Sequence, residues 1–281
     1  MLNDIRSLKI LNIVIGGLKK RIELKLFKYN KKMINKLKTL NFLKNKISDI
    51  KLLENVKFEK LEILGLGENN ISNIDILEKV NFKVLKELYL YDNKISDIKV
   101  LENVKFEKLE LLELSGNNIS NIDILEKVNF KELKDLFLSK NDISDIKVLE
   151  NVKFEKLELL QLSRNKISNI DILEKVNFKE LKKLYLFKNK ISDIKVFKNV
   201  KFEKLEKLNL CDNNISNIDI LENVNFNELK NFYLSKNKIS DIKVLENVKF
   251  EKLEILDLRN NKIDVNQNNL IISKMKQTLK I

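Results

Sequence analysis

Lysine and carboxylate exchange places down this chain at a fixed interval, and paired ionisable groups are the first place to look for acid and base chemistry. Lys38, Glu62, Lys86, Glu110, Lys134, Glu158, Lys182, Glu206, Lys230 and Glu254 follow one another every 24 residues. Lys51, Asp75, Lys99, Asp123, Lys147, Asp171, Lys195, Asp219 and Lys243 do the same. A catalytic pair needs two groups whose environments push their pKa values apart, and a pair repeated at every step sets no member apart. The rows read instead as ladders of opposite charge, each Lys standing between two carboxylates, each exposed pair worth about 0.2 to 1 kcal/mol. Composition removes other chemistries. The chain has no His, no Pro, no Trp and one Cys, Cys211, which excludes internal disulfides, Cys/His zinc sites and nucleophile-His relays in their usual forms. Only five Gly are present, and "GLG" at Gly65 and Gly67 falls inside an apolar alternation, not at a strand-to-helix phosphate loop. An enzyme is not expected, and neither is a cofactor or a metal.

Recognition chemistry remains. Tyr89, Tyr91, Phe137, Tyr185, Phe187 and Tyr233 fall on the same interval, accompanied by Lys140, Arg164 and Lys188 one step apart and by Lys183 nearby. Aromatic residues bury large area at low entropic cost and are favoured at protein interfaces.

The elements that must hold these residues come from the repeat. "ISDIKVLENVKFEK" occurs unchanged at 95–108, 143–156 and 239–252. This 48-residue period splits into two 24-residue units of one template, L-x-x-L-x-L-x-x-N-x-I-S-[DN]-I-x-x-L-x-x-V-x-F-x-x, beginning at Leu37 and continuing through ten units, the last truncated. Leucines that alternate are the mark of a strand with one buried face. One unit has nothing to bury that face against, so units must stack, their strands about 4.8 Å apart in a parallel sheet. The Asn at the ninth position suits a turn, where its side chain reaches backbone groups that no ladder satisfies. Ser with Asp or Asn then reads as a cap for a short helical turn. Ile98, Leu101 and Val104 place their apolar groups at intervals of three on one side of such a turn. The Phe of "VKF" and "VNF", in nine units from Phe58 through Phe250, is expected to form an apolar spine.

The third, fifth, seventh and eighth positions are where units differ, and these are the outward positions of the strand. Scaffold positions are nearly identical, so divergence confined to one face points to a separate task for that face. Cys211 lies on it too and reads as an incidental small residue.

"LYLYDNKISDI" and "LFLSKNDISDI" resemble the LxLxxNxISDI signature of the leucine-rich-repeat family, in particular its SDS22-like and internalin-like subclass, over residues 37 to about 264. The resemblance implies an α/β solenoid, curved, with a concave parallel β-sheet and short helical turns on the convex side. It implies a non-catalytic protein-binding scaffold, because that family chiefly binds other proteins. Long repeats rich in Lys, Asn and Ile also resemble leucine-rich-repeat multigene families of AT-rich genomes, including those of insect poxviruses.

The net charge of +13 sits at the ends: +8 in residues 1–36, +3 in 37–60 and +3 in 265–281, against −1 in 61–264. The organisation expected is a basic N-terminal cap or degenerate repeat (1–36), ten repeats (37–264) and a capping helix (265–281) started by Asn269. The apolar stretch at 10–18 is broken by Asn12 and reads as part of the cap, not as a secretory signal. No segment has the roughly 18 apolar residues that a membrane helix needs. The reading is a monomer in the cytoplasm (host cytoplasm if viral), which binds a protein with an acidic patch on its concave face and is not expected to bind nucleic acid. The alternative is polyanion binding, to nucleic acid or an anionic membrane, through residues 1–36.

Overall fold

A computed structural model of the chain describes residues 36–55, 57–248 and 250–264. The basic segment before Lys36 and the C-terminal helix expected from Asn269 lie outside the described residues. The chain divides into two compact units, between Asp135 and Leu136. In each, a three-residue strand alternates with a single 3-10 turn.

The first unit contains β1 (Thr39–Asn41), β2 (Ile63–Gly65), β3 (Glu87–Tyr89) and β4 (Leu111–Glu113). They pair in parallel and in chain order, with Leu40, Leu64, Leu88 and Leu112 in register. β5 (Asp135–Phe137) carries the division between the units. The second unit contains β6 (Leu159–Gln161), β7 (Lys183–Tyr185), β8 (Lys207–Asn209), β9 (Asn231–Tyr233) and β10 (Ile255–Asp257). These too are parallel and in chain order, with Leu160, Leu184, Leu208, Phe232 and Leu256 in register.

The ladder continues past each strand. The N–H of Glu68 donates to the Tyr91 carbonyl at 2.8 Å, and that of Arg164 to the Phe187 carbonyl at 2.8 Å. At this eighth position the backbone is left-handed, with φ between +46° and +60° at Lys44, Glu68, Asp92, Lys140, Arg164, Lys188, Asp212, Lys236 and Asn260, and +68° at Gly116. A side chain in that conformation costs roughly 1–2 kcal/mol, which the sheet bonds on either side must outweigh.

The core follows the template. In the repeat that starts at Leu85, the side chains of Leu85, Leu88, Leu90, Ile95, Ile98, Leu101 and Phe106 are all buried. Residues i and i+3 eclipse in a 3-10 helix, so the three-residue spacing of Ile98, Leu101 and Val104 turns all three inward. The turn Lys99–Glu102 is closed by bonds from Leu101 N–H to the Ile98 carbonyl and from Asn103 N–H to the Val100 carbonyl, both 3.0 Å. Its start is held by the Asp97 carboxylate, which accepts the Lys99 N–H at 2.8 Å, as the Asn121 amide oxygen accepts the Asp123 N–H. The Asp or Asn is thus the capping group, while Ser96 and Ser120 stay exposed.

The ninth-position Asn joins neighbouring repeats. Asn93 donates from its amide to the carbonyls of Leu66, Leu90 and Tyr91 at 2.9, 3.0 and 3.1 Å, and accepts the Ile71 N–H at 2.9 Å. Asn213 repeats the pattern in the second unit with Leu186, Leu210, Cys211 and Ile191. Two of these partners belong to the preceding repeat, so one side chain serves two turns of chain.

Two expectations change. The Phe row is buried from Phe58 through Phe226 and half-buried at Phe250, with Phe58, Phe82 and Phe106 ring to ring at 5.5 and 5.9 Å. In the second unit, however, Phe226 meets Phe197 at 5.7 Å and Phe250 meets Phe232 at 6.2 Å, rings that stand where other repeats have Leu. The charge ladders also resolve into pairs. At the second position Lys134, Lys182 and Lys230 each close on the Glu of the preceding repeat at 2.6, 2.7 and 3.1 Å, and Glu62 is shared by Lys38 and Lys86. Coulomb attraction falls with distance, so one short contact outdoes a central position between two carboxylates. At the fifteenth position Lys147 and Lys195 turn to Asp145 and Asp193, which cap their own turns, whereas Lys51, Lys99 and Lys243, with the same cap, have no carboxylate within 4.0 Å among the described residues. Among the described residues no ion pair joins that row between repeats.

Candidate functional site

Along β7 the side chains of Lys183, Tyr185 and Phe187 alternate with the fully buried Leu184 and Leu186, so the first three share the outward face. β8 sets Lys207 in register with Lys183 and Asn209 with Tyr185, and β9 sets Tyr233 in register with Asn209. Asn209 is short and its amide oxygen accepts the Cys211 N–H at 3.0 Å. The gap between the two tyrosines is taken by Lys207, whose Nζ lies 5.4 Å from the Tyr185 ring centroid and 5.2 Å from that of Tyr233. One ammonium is thereby held by two rings, each contact contributing about 0.5–1 kcal/mol at an exposed site. A second such contact places the Arg164 guanidinium 5.8 Å from the Phe187 ring centroid, the planar stacking that Arg performs and Lys does not.

The other residues expected at the site fall as follows. Lys140, Arg164, Lys183 and Lys188 are exposed, and Phe137, Tyr185, Phe187 and Tyr233 are half-buried. Tyr89 and Tyr91 belong to the first unit and face different company. The Tyr89 hydroxyl donates to the Glu87 carboxylate at 2.7 Å, and burial, with that bond, pushes the phenol pKa well above its ordinary value. Tyr91 lies where a Cβ on Gly67 would be, 2.5 Å from its ring, so Gly67 admits the ring. The "GLG" stretch is accordingly a strand with room beside it. Burial pushes the Glu113 carboxyl up, against a 2.8 Å bond from the Ser115 N–H that favours the charged form.

Cys211 is half-buried and accepts a bond from the Ser235 hydroxyl at 3.0 Å. Burial pushes its thiol up, and a protonated thiol is a poor nucleophile. Among the described residues no group of three or more Cys, Asp or Glu could hold a metal ion, and no helix is long and apolar enough to cross a membrane.

Lys207 was not among the expected site residues. Its signal is the third position, where Lys183 is followed one repeat later by a second Lys. The fifth, seventh and eighth positions alone do not show it.

The stacked strands, the 3-10 turns and the asparagine row define the leucine-rich-repeat fold. Residues 155–199 match the family model of leucine-rich repeats in two copies. An internalin of Listeria monocytogenes has a TM-score of 0.62 at 23% identity, over 95% of this chain and 85% of that one. Internalin C2 of the same organism gives 0.60 at 22%, over 79% and 89%. A plant peptide hormone receptor, RGFR1 in complex with RGF2, gives 0.60 at 21%, over 81% of this chain and 36% of the receptor. Sequence comparison with curated proteins finds no match. The fold is that of a leucine-rich-repeat protein with internalin-like structural neighbours.

Proposed function

We propose that the protein is a non-catalytic scaffold that binds a partner protein on the outward, concave face of its strands, chiefly through Phe137, Tyr185, Phe187 and Tyr233 with the cations around them. The observation that carries this reading is the pair of held cations, Lys207 between Tyr185 and Tyr233 and Arg164 over Phe187, on the one face where the repeats differ. Half-buried rings with preset positive groups offer area and charge with little side-chain entropy left to lose on binding. Leucine-rich repeats commonly serve as protein-interaction scaffolds, and the plant receptor above was solved as a complex with RGF2. A non-catalytic role is supported by the absence of His and by carboxylates tied to lysines in repeating pairs. A lone Cys fits a reducing, cytoplasmic setting, and the ISDI spacing supports the SDS22-like class.

The test is affinity capture from a cell lysate with wild type and with Phe137, Tyr185, Phe187 and Tyr233 all changed to Ser. The expected result is a captured protein that the variant loses while its melting temperature stays near that of wild type. Equal capture by both would assign these aromatics to sheet packing.

A further inference from the structure

The outward face of the second unit sets positive groups at equivalent positions of neighbouring repeats. Several lysines on other faces have a carboxylate of the preceding repeat beside them: Lys134 with Glu110, Lys182 with Glu158, Lys230 with Glu206, Lys204 with Glu180, Lys252 with Glu228 and Lys166 with Asp142, all between 2.6 and 3.1 Å. On β7 and β8, Lys183 is in register with Lys207. At the eighth position Arg164 is followed one repeat later by Lys188. Among the described residues none of these four cations has a carboxylate within 4.0 Å. Like charges placed side by side on neighbouring strands are destabilising, and here four positive groups cluster on one face around the rings of Tyr185, Phe187 and Tyr233.

Their placement is also specific. Lys183 and Lys207 stand at one end of the strands, Arg164 and Lys188 follow the other end, and Tyr185, Phe187 and Tyr233 lie between. Lys183 opens the three-residue strand β7 and Lys188 lies five residues on, at a left-handed turn, so their backbones are at most about 16 Å apart. The ligand complementary to this arrangement carries negative groups at both ends and an apolar stretch in the middle.

We propose that Arg164, Lys183, Lys188 and Lys207 receive the side-chain carboxylates of an acidic, extended segment of the partner protein, whose apolar residues lie on Tyr185, Phe187 and Tyr233. The inference rests on the binding reading given above and names the chemistry of its partner. A second copy of this chain is a poorer occupant, because the carboxylates on the face of its first unit are engaged: Glu68 with Lys44 at 3.2 Å, Glu87 with the Tyr89 hydroxyl, Glu113 with the Ser115 N–H. A single-stranded nucleic acid carries a phosphate at every nucleotide and is matched by a groove that is positive along its length, whereas Lys183 and Lys207 stand at one end here and Arg164 and Lys188 at the other.

The experiment is selection from a phage-displayed library of random dodecapeptides against the full chain. It is repeated with Arg164, Lys183, Lys188 and Lys207 all changed to Gln, with unchanged melting as the check on folding. Wild type is expected to enrich sequences with Asp or Glu on both sides of an aliphatic or aromatic stretch. The synthetic consensus peptide should bind the Gln variant about tenfold or more weakly, and bind wild type more weakly as salt rises. Enrichment without acidic residues, or equal binding by both proteins, overturns the proposal. So does tighter binding of oligothymidylate than of the consensus peptide, or a sedimenting dimer that the four substitutions dissociate. If the Ser variant of the aromatics loses the captured protein while the Gln variant keeps it, the binding face stands and the acidic segment falls.

Discussion

In the first unit Tyr89 gives its hydroxyl to Glu87, Tyr91 fills the space beside Gly67, and Glu68 is held by Lys44. In the second unit Arg164, Lys183, Lys188 and Lys207 have no carboxylate within 4.0 Å among the described residues, and Arg164 and Lys207 lie over rings. The two units share their leucines, their asparagines, their turns and their left-handed eighth position. What differs is whether the outward side chains satisfy one another. A scaffold that is the same in both places leaves that difference to four positions per repeat, and the proposed partner surface is the one where the internal matching is incomplete.

If the scaffold is common to both units, damage to it must cost the same in each. Phe106→Ala in the first unit and Phe154→Ala in the second remove equally buried rings and are expected to lose about 3–5 kcal/mol each by chemical denaturation. A wide gap between the two values would break the comparison at its base. Next in size, Asn93→Ala and Asn213→Ala leave carbonyls and an N–H of two repeats without their partner, a loss of about 1–3 kcal/mol for each variant. Asn93→Asp at neutral pH sharpens this, since a carboxylate keeps the acceptor and removes both donors.

The eighth position gives a smaller test. Gly116→Lys puts into the first unit the residue type that the second unit carries at Lys140 and Lys188, at φ +68° and against Asp92. A fall of about 1–2 kcal/mol is expected from thermal melts, and no change would mean that the left-handed turn carries no cost here.

The smallest effect is electrostatic. Burial raises the Glu113 pKa, so the folded state holds that proton more tightly than the unfolded chain does. Stability from this group is fully present below its unfolded pKa and is lost as pH rises through the folded value. Glu113→Gln is therefore expected to be more stable than wild type at neutral pH and no different in acid. Glu62, held at about 2 by bonds from Lys38 and Lys86, pulls the other way, losing its contribution only as pH falls toward that value. It is common to both proteins and drops out of their difference. A gain for Glu113→Gln that is constant with pH would remove burial of the charge as its cause.

Much of this was legible before any coordinates. The repeat length, the parallel strands and the turn after the asparagine follow from Leu85, Leu88, Leu90 and Asn93 and their copies, because period two and a turn residue leave little freedom. The three-residue spacing of Ile98, Leu101 and Val104 pointed to one side of a helical turn, and the structure makes it 3-10. The charge rows were legible as rows but not as pairs, since sequence spacing does not say which of two carboxylates a flexible Lys reaches. Lys147 turns to Asp145 of its own repeat, which capping brings near only once the turn has formed. Lys207 was hidden for a related reason: its role depends on the slot over Asn209 between two rings of other repeats, a relation across three strands that no single repeat displays.

The asparagine contact bears on how such a chain changes length. Asn93 and Asn213 each hold their own repeat and the one before it through carbonyls and N–H groups that equivalent positions of the repeats present alike. Removing one whole repeat brings the next Asn against an equivalent set of partners, and inserting one does the same. Growth and shrinkage in whole repeats therefore leave no mismatched joint, whereas a gain or loss of a few residues misaligns every bond at that step. The chain can be edited only in complete words, and the outward residues of an added word arrive on a face already built to display them.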